Sequence, residues 1–332
     1  MSERIAVVGS NSFSGASFVR HCLAQGLEVL GASRSDEPAA CFLPYRWLPA
    51  DRQKNFRFVR ADLNHDLAGL MTALDSFQPA WVVNFAAQGM VAQSWQQPGD
   101  WYQTNVVGHV LFHDRLRQAA WLEKYVHVST PEVYGSTSGV ITESAPFNPR
   151  TPYAASRAAC DLHLRTFLSQ YQFPVAWTRS ANVYGPGQQL YRIIPRTILS
   201  IKLGQKLQLH GGGHSVRSFI HIDDVAAATL AIARQAPAGE CYHLSTDRFI
   251  AIRQLVEMIC GMMNADFSKV ALITDDRPGK DAAYTLDSTK ARQTLGWRDT
   301  VALEDGVRAT IEWVESHLEE IRRQPSDYIH KP

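Results

Sequence analysis

Residues 4–15, RIAVVGSNSFSG, decide the fold class of this 332-residue chain. A short apolar run ends at Gly9 and is followed by an amphipathic stretch that reaches about Gln25. This pattern predicts a strand, a tight turn at Gly9 and a helix that packs closely on the strand at Gly15. The amides at the start of that helix would suit a pyrophosphate. The spacing is GxxSxxG, with Ser12 in the place of a middle glycine, so an ordinary strand–helix turn remains an alternative.

The rest of the first 180 residues repeats this alternation. Short runs rich in valine, phenylalanine and tryptophan alternate with helix-like segments, and after about Asn182 the chain becomes rich in glycine, proline and basic residues. We therefore predict an α/β fold, a Rossmann-type doubly wound parallel sheet with a smaller mixed C-terminal substrate-binding part. The predicted dinucleotide-binding domain covers 1–180, with 218–247 returning to it, and the substrate-binding domain covers 181–217 and 248–332.

Composition excludes several classes of function. The formal net charge is +1, which gives no reason to expect nucleic acid or an anionic membrane surface as a partner. Five scattered cysteines without a CxxC pair indicate reduced thiols, and neither a signal pattern nor a membrane-spanning apolar run is present. His109 and His113 have the spacing of a metal pair on a helix, but packed histidines are favoured, and no metal site is predicted. A cytoplasmic protein is the expectation.

The end of the second predicted strand, GASRSDE, bears on the choice of cofactor. An acid at this place binds the ribose 2′-hydroxyl of NAD, whereas an arginine nearby accommodates the 2′-phosphate of NADP. Ser33 and Arg34 stand where the acid is expected, and Asp36 comes slightly late. This favours NADP over NAD. Asp62, after the third strand, is a candidate either to contact the adenine or to cap a helix.

A candidate catalytic group lies further along the chain. In TPYAASR, Tyr153 and Arg157 are four residues apart at the start of a predicted helix, so both side chains share one face. A fixed cation beside a phenol lowers the phenol pKa, which suits a general base. The fifth strand ends HVSTPEVYG, and this places Ser129, Thr130 and Glu132 at the same end of the sheet.

Eight motifs in order carry a resemblance to a known family. They are GSNSFSG, NFAAQ, TNVVG, STPEVYG, YAASR, RSANVYGPGQ, VRSFIHIDD and RPGKDAAYTLDSTKARQTLGW. Together they span nearly the whole chain and resemble the extended short-chain dehydrogenase/reductases. Within these, the chain looks most like the nucleotide-sugar 4,6-dehydratases of the dTDP-glucose and GDP-mannose types.

The resemblance implies a reaction on a nucleotide-diphosphate hexose. Tyr153 takes the proton of the sugar 4-hydroxyl while the C4 hydride passes to a tightly bound NAD(P), and Thr130 holds both the hydroxyl and the tyrosine. Glu132 removes the C5 proton, water leaves from C6, and the hydride returns to C6 to give a 4-keto-6-deoxy sugar. Glu132 distinguishes this reaction from 4-epimerisation, which needs no proton transfer at C5; a solvent-facing loop residue is the alternative.

The resemblance also implies the site residues. Cofactor contacts are carried over onto Gly9, Asn11, Ser12, Phe13, Ser14, Gly15, Ser33, Arg34, Asp62, Leu63, Phe85, Ala86, Ala87, Asn105, Ser129, Tyr153 and Arg157. Substrate contacts are carried over onto Gln88, Thr130, Asn182, Arg192, Arg217 and Arg277. A homodimer formed through the helices that open at Thr104 and Pro152 is implied as well.

Two departures from the family pattern are visible. Arg157 replaces the usual lysine of YxxxK, and arginine keeps the charge but not the shape of lysine. Pro131 replaces the aspartate that the dTDP-glucose enzymes carry between threonine and glutamate, and proline has no proton to give. A sugar-nucleotide 4-epimerase and a catalytically silent dinucleotide-binding protein therefore remain as alternatives.

Overall fold

The computed structural model describes residues 3–137, 139–275 and 285–331, which form strands and helices in alternation. The strands are β1 Arg4–Val8, β2 Glu28–Ser33, β3 Phe56–Arg60, β4 Trp81–Asn84, β5 Lys124–Val128, β6 Val140–Ile141, β7 Val175–Ser180, β8 Asn182–Tyr184, β9 Leu207–His210, β10 Val216–His221, β11 Cys241–Leu244, β12 Phe249–Ala251, β13 Ala271–Thr274 and β14 Thr285–Leu286.

The helices divide into α-helices and shorter forms. The α-helices are α1 Phe13–Ala24, α2 Ala50–Gln53, α3 Leu67–Phe77, α4 Pro98–Tyr102, α5 His109–Leu116, α6 Pro152–Tyr171, α7 Ile193–Leu203, α8 Ile222–Gln235, α9 Ile252–Met262, α10 Phe267–Val270, α11 Thr289–Leu295, α12 Leu303–Ser316 and α13 Leu318–Ile321. A π-helical segment, Gln103–Gly108, joins α4 to α5. Short 3₁₀ helices are Ala40–Phe42, Pro44–Trp47, Ala92–Trp95, Pro131–Tyr134 and Gly211–Gly213.

The main sheet is parallel and has the strand order β3-β2-β1-β4-β5-β7-β11. Its register places Val7 of β1 opposite Gly31 of β2 and opposite Val83 of β4. The direction of strand order reverses between β1 and β4, so the loops after these strands flank a crevice at the carboxyl edge of the sheet. The predicted α/β fold with a doubly wound parallel sheet is confirmed.

Side chains alternate between the two faces of the sheet, as the period of a strand requires. In β1, Ile5 and Val7 pack into an apolar cluster with residues of α1 and α8. Ala6 and Val8 point to the other face, where residues of α3, α5 and α6 cover them. Both faces are therefore dry, which explains why the strands are apolar almost throughout.

The smaller part of the molecule is built around a second core. Strand β10 pairs in parallel with β8 and antiparallel with β12, and β9 pairs with β13. Helices α7, α9 and α12 contribute the apolar residues beneath these strands. Residues 218–221 of the range 218–247 belong to β10 in this sheet, and only α8 and β11 rejoin the main unit. The division into two domains stays a prediction. No helix of the described ranges is long and apolar enough to cross a membrane.

Candidate active site

The glycine loop after β1 has the geometry that its sequence predicts. Gly9 has a φ of +83°, and a Cβ there would lie 2.6 Å from the backbone nitrogen of Ala86. A Cβ on Gly15 would lie 2.2 Å from the carbonyl oxygen of Gly9. Both positions therefore require glycine, because neighbouring backbone occupies the space of any side chain. The loop stays close to the sheet and opens at the crevice.

Ser12 closes the turn that a middle glycine would otherwise make. Its hydroxyl accepts from the Gly15 amide at 3.0 Å and donates to the Gly9 carbonyl at 2.8 Å, which caps α1. Phe13 packs its ring into the core, so only its backbone can reach a ligand, while Ser14 is half-buried. The first-turn amides of α1 lie at the crevice, where a helix start favours an anion.

The end of β2 is tied to this loop. The hydroxyl of Ser33 accepts from the backbone amide of Asn11 at 2.9 Å, and the Asn11 side-chain amide donates to the carbonyl of Ser35 at 2.9 Å. Arg34 donates to the carbonyl of Lys331 at 3.0 Å, so its guanidinium lies over the crevice. The structure therefore brings Ser33 beside the glycine loop and Arg34 beside Lys331, and contact of both with a cofactor stays a prediction.

In the loop after β3, the carboxylate of Asp62 bonds to the backbone of the same loop. The Asp62 carboxylate accepts from the backbone amide of Asn64 at 2.7 Å, which closes a turn, and Leu63 is buried. The alternative role of Asp62 as a helix cap is wrong, because Asp66 caps α3 and Asp62 closes the turn before it. Contact of Asp62 with an adenine stays a prediction.

Asn105 supports the loop after β4 from behind. It is fully buried, accepts from the Gln88 amide at 2.8 Å and donates to the Gln88 carbonyl and to the Ser156 hydroxyl, both at 3.0 Å. These bonds occupy both ends of its side chain and join residues 85–88 to α6. The structure gives Asn105 a supporting role, and a direct contact of Asn105 with the cofactor stays a prediction. Phe85 and Ala86 are half-buried and Ala87 is exposed at the crevice.

The predicted catalytic side chains meet at the end of β5. Thr130 caps the 3₁₀ helix Pro131–Tyr134, and its hydroxyl accepts from the Glu132 amide at 3.3 Å and hydrogen-bonds Tyr153. Pro131 suits this place because the first helical position needs no amide proton. Glu132 and Tyr153 are both half-buried and near enough to influence each other electrostatically.

The electrostatics of Tyr153 differ from the expectation. Burial, and then the nearby Glu132 carboxylate, raise the pKa of Tyr153 above its ordinary value of 10. Three groups lower this pKa, namely Arg157, the Thr130 hydroxyl and Arg192, but their combined effect is smaller, so the net pKa is raised. The predicted lowering of this pKa by Arg157 is therefore wrong for the net value, although the sign of the arginine's own influence is as expected.

Arg157 lies beneath the crevice, and only one nitrogen of its guanidinium makes hydrogen bonds within the described residues. The side chain is 2% exposed, and Nη2 donates to the carbonyl of Val128 and lies 3.1 Å from Nε2 of His127. Within the described part of the chain, Nε and Nη1 have no hydrogen-bond partner. Buried guanidinium protons are normally bonded, so these two nitrogens indicate a place for a ligand oxygen.

A cluster of buried histidines adjoins Arg157. Burial is the largest cause that lowers the pKa of His109 to about 4 and holds the pKa of His113 and of His127 well below 6.5. One ligand atom each from His113, His127 and Cys160 lies within 4.8 Å of the others. The adjacent Arg157 charge opposes a metal ion here, so we assign the cluster to hydrogen bonding. The histidine pair of α5 is thus packed.

Ser129 faces away from the crevice. Its hydroxyl donates to Asp161 at 2.7 Å, and the other neighbour of that carboxylate oxygen is Nη2 of Arg179, also at 2.7 Å. Any contact of Ser129 with a cofactor would therefore involve its backbone.

The structure places three of the predicted substrate residues in the smaller part. Asn182 opens β8, Arg192 is exposed at the residue before α7 and lies near Tyr191, and Arg217 lies half-buried in β10. Arg192 is close enough to Tyr153 to lower the phenol pKa, which brings it to the catalytic end of the crevice. Arg277 lies outside the described residues.

Residues 326–331 contact the crevice, and sequence reasoning missed them. The carbonyl of Lys331 accepts from the side-chain amide of Gln88 at 2.5 Å and from Arg34 at 3.0 Å. The ring of His330 stacks on Trp101 with centroids 5.0 Å apart and 7° between the planes. Nothing in the letters SDYIHK indicates such a return to residues far away in the chain.

Comparisons with known proteins agree with this geometry. A family model described as GDP-mannose 4,6 dehydratase matches residues 7–310. A probable dTDP-glucose 4,6-dehydratase from Sinorhizobium fredii is 32% identical, with 93% of this chain and 92% of that protein covered.

Solved structures give the same result. DesIV, a dTDP-glucose 4,6-dehydratase from Streptomyces venezuelae with NAD and TYD bound, matches with a TM-score of 0.87 and 32% identity over 96% of this chain and 98% of that one. A UDP-glucose 4-epimerase from Thermus thermophilus in complex with NAD matches with a TM-score of 0.84 and 26% identity over 94% of this chain and 99% of that one.

Proposed function

We propose that Thr130, Glu132 and Tyr153 are the catalytic residues of this chain. The chain belongs to the GDP-mannose 4,6-dehydratase family of short-chain dehydrogenase/reductases and is a nucleotide-sugar 4,6-dehydratase. The substrate is a nucleotide-diphosphate hexose, and the product is the 4-keto-6-deoxy sugar. The observation that supports these roles is the meeting of a hydroxyl, a carboxylate and a phenol at the carboxyl end of β5.

The residues of the crevice fit a nicotinamide dinucleotide. Gly9 and Gly15 leave space that a Cβ would fill, and the first-turn amides of α1 suit the pyrophosphate. Nε and Nη1 of Arg157 have no hydrogen-bond partner among the described residues and suit a ribose hydroxyl. A cofactor bound there supplies the chemistry of accepting a hydride from C4 of the sugar and returning it to C6.

The form of the cofactor is a separate proposal. Ser33 and Arg34 at the end of β2 favour NADP, whereas the relatives from Streptomyces venezuelae and Thermus thermophilus are described with NAD. Denaturing the purified protein and separating the released dinucleotide by chromatography decides between them. Release of NAD alone would remove the predicted preference.

Tyr153 acts as the base for the sugar 4-hydroxyl. Because burial and Glu132 raise its pKa, the phenol is a strong proton acceptor only once it has lost its own proton. Arg157 and Arg192 favour the phenolate, and the Thr130 hydroxyl hydrogen-bonds the tyrosine. The two arginines therefore offset part of the effect of burial and of Glu132 and increase the fraction of phenolate.

Glu132 acts as the base that removes the C5 proton and as the acid that protonates the leaving oxygen at C6. Its carboxylate takes the C5 proton, which the 4-ketone acidifies, and the bond between C6 and its oxygen then breaks. Pro131 has no proton to give, so we assign delivery of the same proton to the departing hydroxyl to Glu132. C5 regains a proton as C6 is reduced, and the proton that Tyr153 took from the 4-hydroxyl balances it, so one water is released and both residues return to their starting protonation states.

The substrate diphosphate lies in this proposal near Asn182, Arg192 and Arg217, with Gln88 on the opposite wall. Guanidinium groups suit phosphate oxygens because several N–H donors converge on one anion. The relatives from Sinorhizobium fredii and Streptomyces venezuelae make dTDP-glucose the first substrate to test.

We also propose that the protein is a homodimer. Tyr102, Val107 and Leu111, from α4 to α5, expose large apolar side chains, and Leu162 does so on the neighbouring α6. A patch of this kind is costly in water and suits a second copy. Light scattering of Leu111→Glu should report a monomer, whereas a wild-type mass of one chain would remove the proposal.

The central experiment incubates the protein with a panel of nucleotide hexoses and follows mass and NMR spectra without added cofactor. Loss of one water supports the dehydratase. An isomer of unchanged mass would point to an epimerase instead, to which the Thermus likeness gives some support, and no turnover would favour a silent protein.

Glu132→Gln tests the assignment of the carboxylate. This variant should still reduce the bound nicotinamide on mixing with substrate, seen by its absorbance, but should form dehydrated product at least about 100-fold more slowly. Glu312→Gln, at an exposed position of α12, is the matched control. Normal dehydration by Glu132→Gln would overturn the role of Glu132.

A further inference from the structure

Arg157 is held on one side by two acceptors, and one of them is unusual. Nη2 donates to the carbonyl of Val128 and meets the Nε2 atom of His127 at 3.1 Å. A guanidinium has only donors, so Nε2 of His127 must accept and cannot carry a proton. The imidazole is therefore neutral, with its proton on Nδ1.

The groups beyond His127 agree with this assignment. Nδ1 of His127 lies 3.3 Å from the Tyr125 hydroxyl, which also accepts from the Asn84 amide at 2.8 Å. The single proton of that hydroxyl is then left for Nε2 of His113 at 2.9 Å. Arg157, His127, Tyr125 and His113 thus form one directional chain of hydrogen bonds, in which each acceptor is satisfied by the preceding donor.

The surroundings of His127 keep it neutral. It is fully buried, and burial, followed by the charges of Arg157 and Arg179, holds its pKa well below 6.5. The nearest carboxylate is that of Asp161: its Oδ2 accepts from Arg179 and Ser129, and its Oδ1 lies 3.7 Å from Nε2 of His127, beyond hydrogen-bond distance.

We propose that His127 is a positioning residue for Arg157, and that its imidazole fixes the guanidinium beside Tyr153 without neutralising it. A carboxylate in its place would orient the arginine equally well but would cancel the charge that acts on the phenol. The neutral imidazole orients the guanidinium and leaves Nε and Nη1 available. The proposal rests on the function proposed above.

The test compares His127→Met with His127→Gln, two side chains of similar length. Methionine offers no comparable acceptor, whereas the glutamine carbonyl restores one. We expect kcat for dehydration to fall about 10- to 100-fold in His127→Met and to recover to within about threefold of wild type in His127→Gln. The apparent pKa of the rising limb of the kcat/KM profile should increase in the methionine variant and return in the glutamine variant.

His113→Met is the matched control, since it removes a buried histidine two links further along the chain of hydrogen bonds. Thermal melting shows which variants are folded. If His127→Met does not fold, Tyr125→Phe removes the hydroxyl that fixes the His127 tautomer and should move the pH profile in the same direction by a smaller amount. An unchanged profile in folded His127→Met, or equal shifts in His113→Met and His127→Met, would overturn the proposal.

A second measurement does not require turnover. Tyrosine labelled with carbon-13 at Cζ gives a signal that titrates with the phenol, and Tyr153→Phe assigns the signal of Tyr153. The titration should move to higher pH in His127→Met but not in His127→Gln. If wild-type protein converts no nucleotide hexose, the proposed function fails while this titration still decides the role of His127.

Discussion

Arg157 and Arg179 are both almost completely buried, but they differ in the groups that accept their hydrogen bonds. Arg179 donates to the Asp161 carboxylate at 2.7 Å, to the Tyr134 hydroxyl at 2.7 Å and to Sγ of Cys241 at 2.9 Å. Arg157 has a backbone carbonyl and a neutral imidazole as acceptors, and no carboxylate oxygen of the described residues lies within 4.0 Å of it.

We infer from this difference that Arg179 is a structural arginine and Arg157 a functional one. A buried charge that is paired with a carboxylate has little field left for its neighbours, whereas an uncompensated one acts on whatever lies close. Arg157 does act on Tyr153, whose pKa it lowers against the larger effects of burial and Glu132. We infer that the fold tolerates the cost of burying Arg157 because the active site needs its charge.

The largest expected effect is on the structural arginine. Asp161→Asn leaves Arg179 without its carboxylate and should reduce the free energy of unfolding by about 3 to 5 kcal/mol, measured by urea denaturation. Glu312→Gln, at an exposed position in the interior of α12, is the control and should be neutral. A loss below about 1 kcal/mol would remove the contrast between the two arginines.

Acid should weaken the side of the sheet that holds the histidine cluster. The folded pKa of His109 is lowered to about 4 from 6.5, so unfolding takes up a proton in this range. Stability from His109 is therefore complete above pH 6.5 and is lost as the pH falls towards 4, by about 3 kcal/mol in all. Urea midpoints between pH 7 and 4.5 should fall less steeply in His109→Gln, and parallel curves would contradict the prediction.

Removing the functional arginine should affect rate more than stability. Arg157→Met should lower kcat/KM about 100-fold, which corresponds to about 2.7 kcal/mol, and change the free energy of unfolding by less than about 1 kcal/mol because no carboxylate loses its partner. Arg179→Met, the matched control, should show the reverse. Similar losses of stability in both variants would break the comparison.

Arg157→Lys should have the smallest effect, because the charge is kept and only the fork of donors is lost. We expect kcat/KM to stay within about tenfold of wild type, or about 1.4 kcal/mol. Since the reactive phenolate forms as the pH rises, the pH profile should keep its alkaline rise near the wild-type position, whereas in Arg157→Met the rise should move to higher pH. Equal profiles for the two variants would show that the charge of Arg157 is not used.

Much of the site could be predicted because its determinants are local. Gly9 and Gly15 are required by backbone contacts that follow directly from a strand, a turn and a helix. Tyr153 and Arg157 share a face because they are four residues apart in α6. Thr130 and Glu132 follow from the end of a strand whose apolar character is visible in the letters.

The remainder depends on register and on distant contacts. His127 lies inside KYVHV, which predicts only a strand, and the pairing of that strand and the position of α6 decide that its ring meets Arg157. Asn105 becomes a support because a π-helical segment and α6 pack against the loop after β4. The net pKa of Tyr153 was mispredicted because burial cannot be read from the spacing of two residues.

The segment 326–331 has a practical consequence for work with this protein. Lys331 is held by Arg34 and Gln88, and His330 by Trp101 and Asp100. A ligand that binds Arg34 or Gln88 must therefore replace their hydrogen bonds to the carbonyl of Lys331. Affinities measured for such a ligand then include the free energy of displacing this segment.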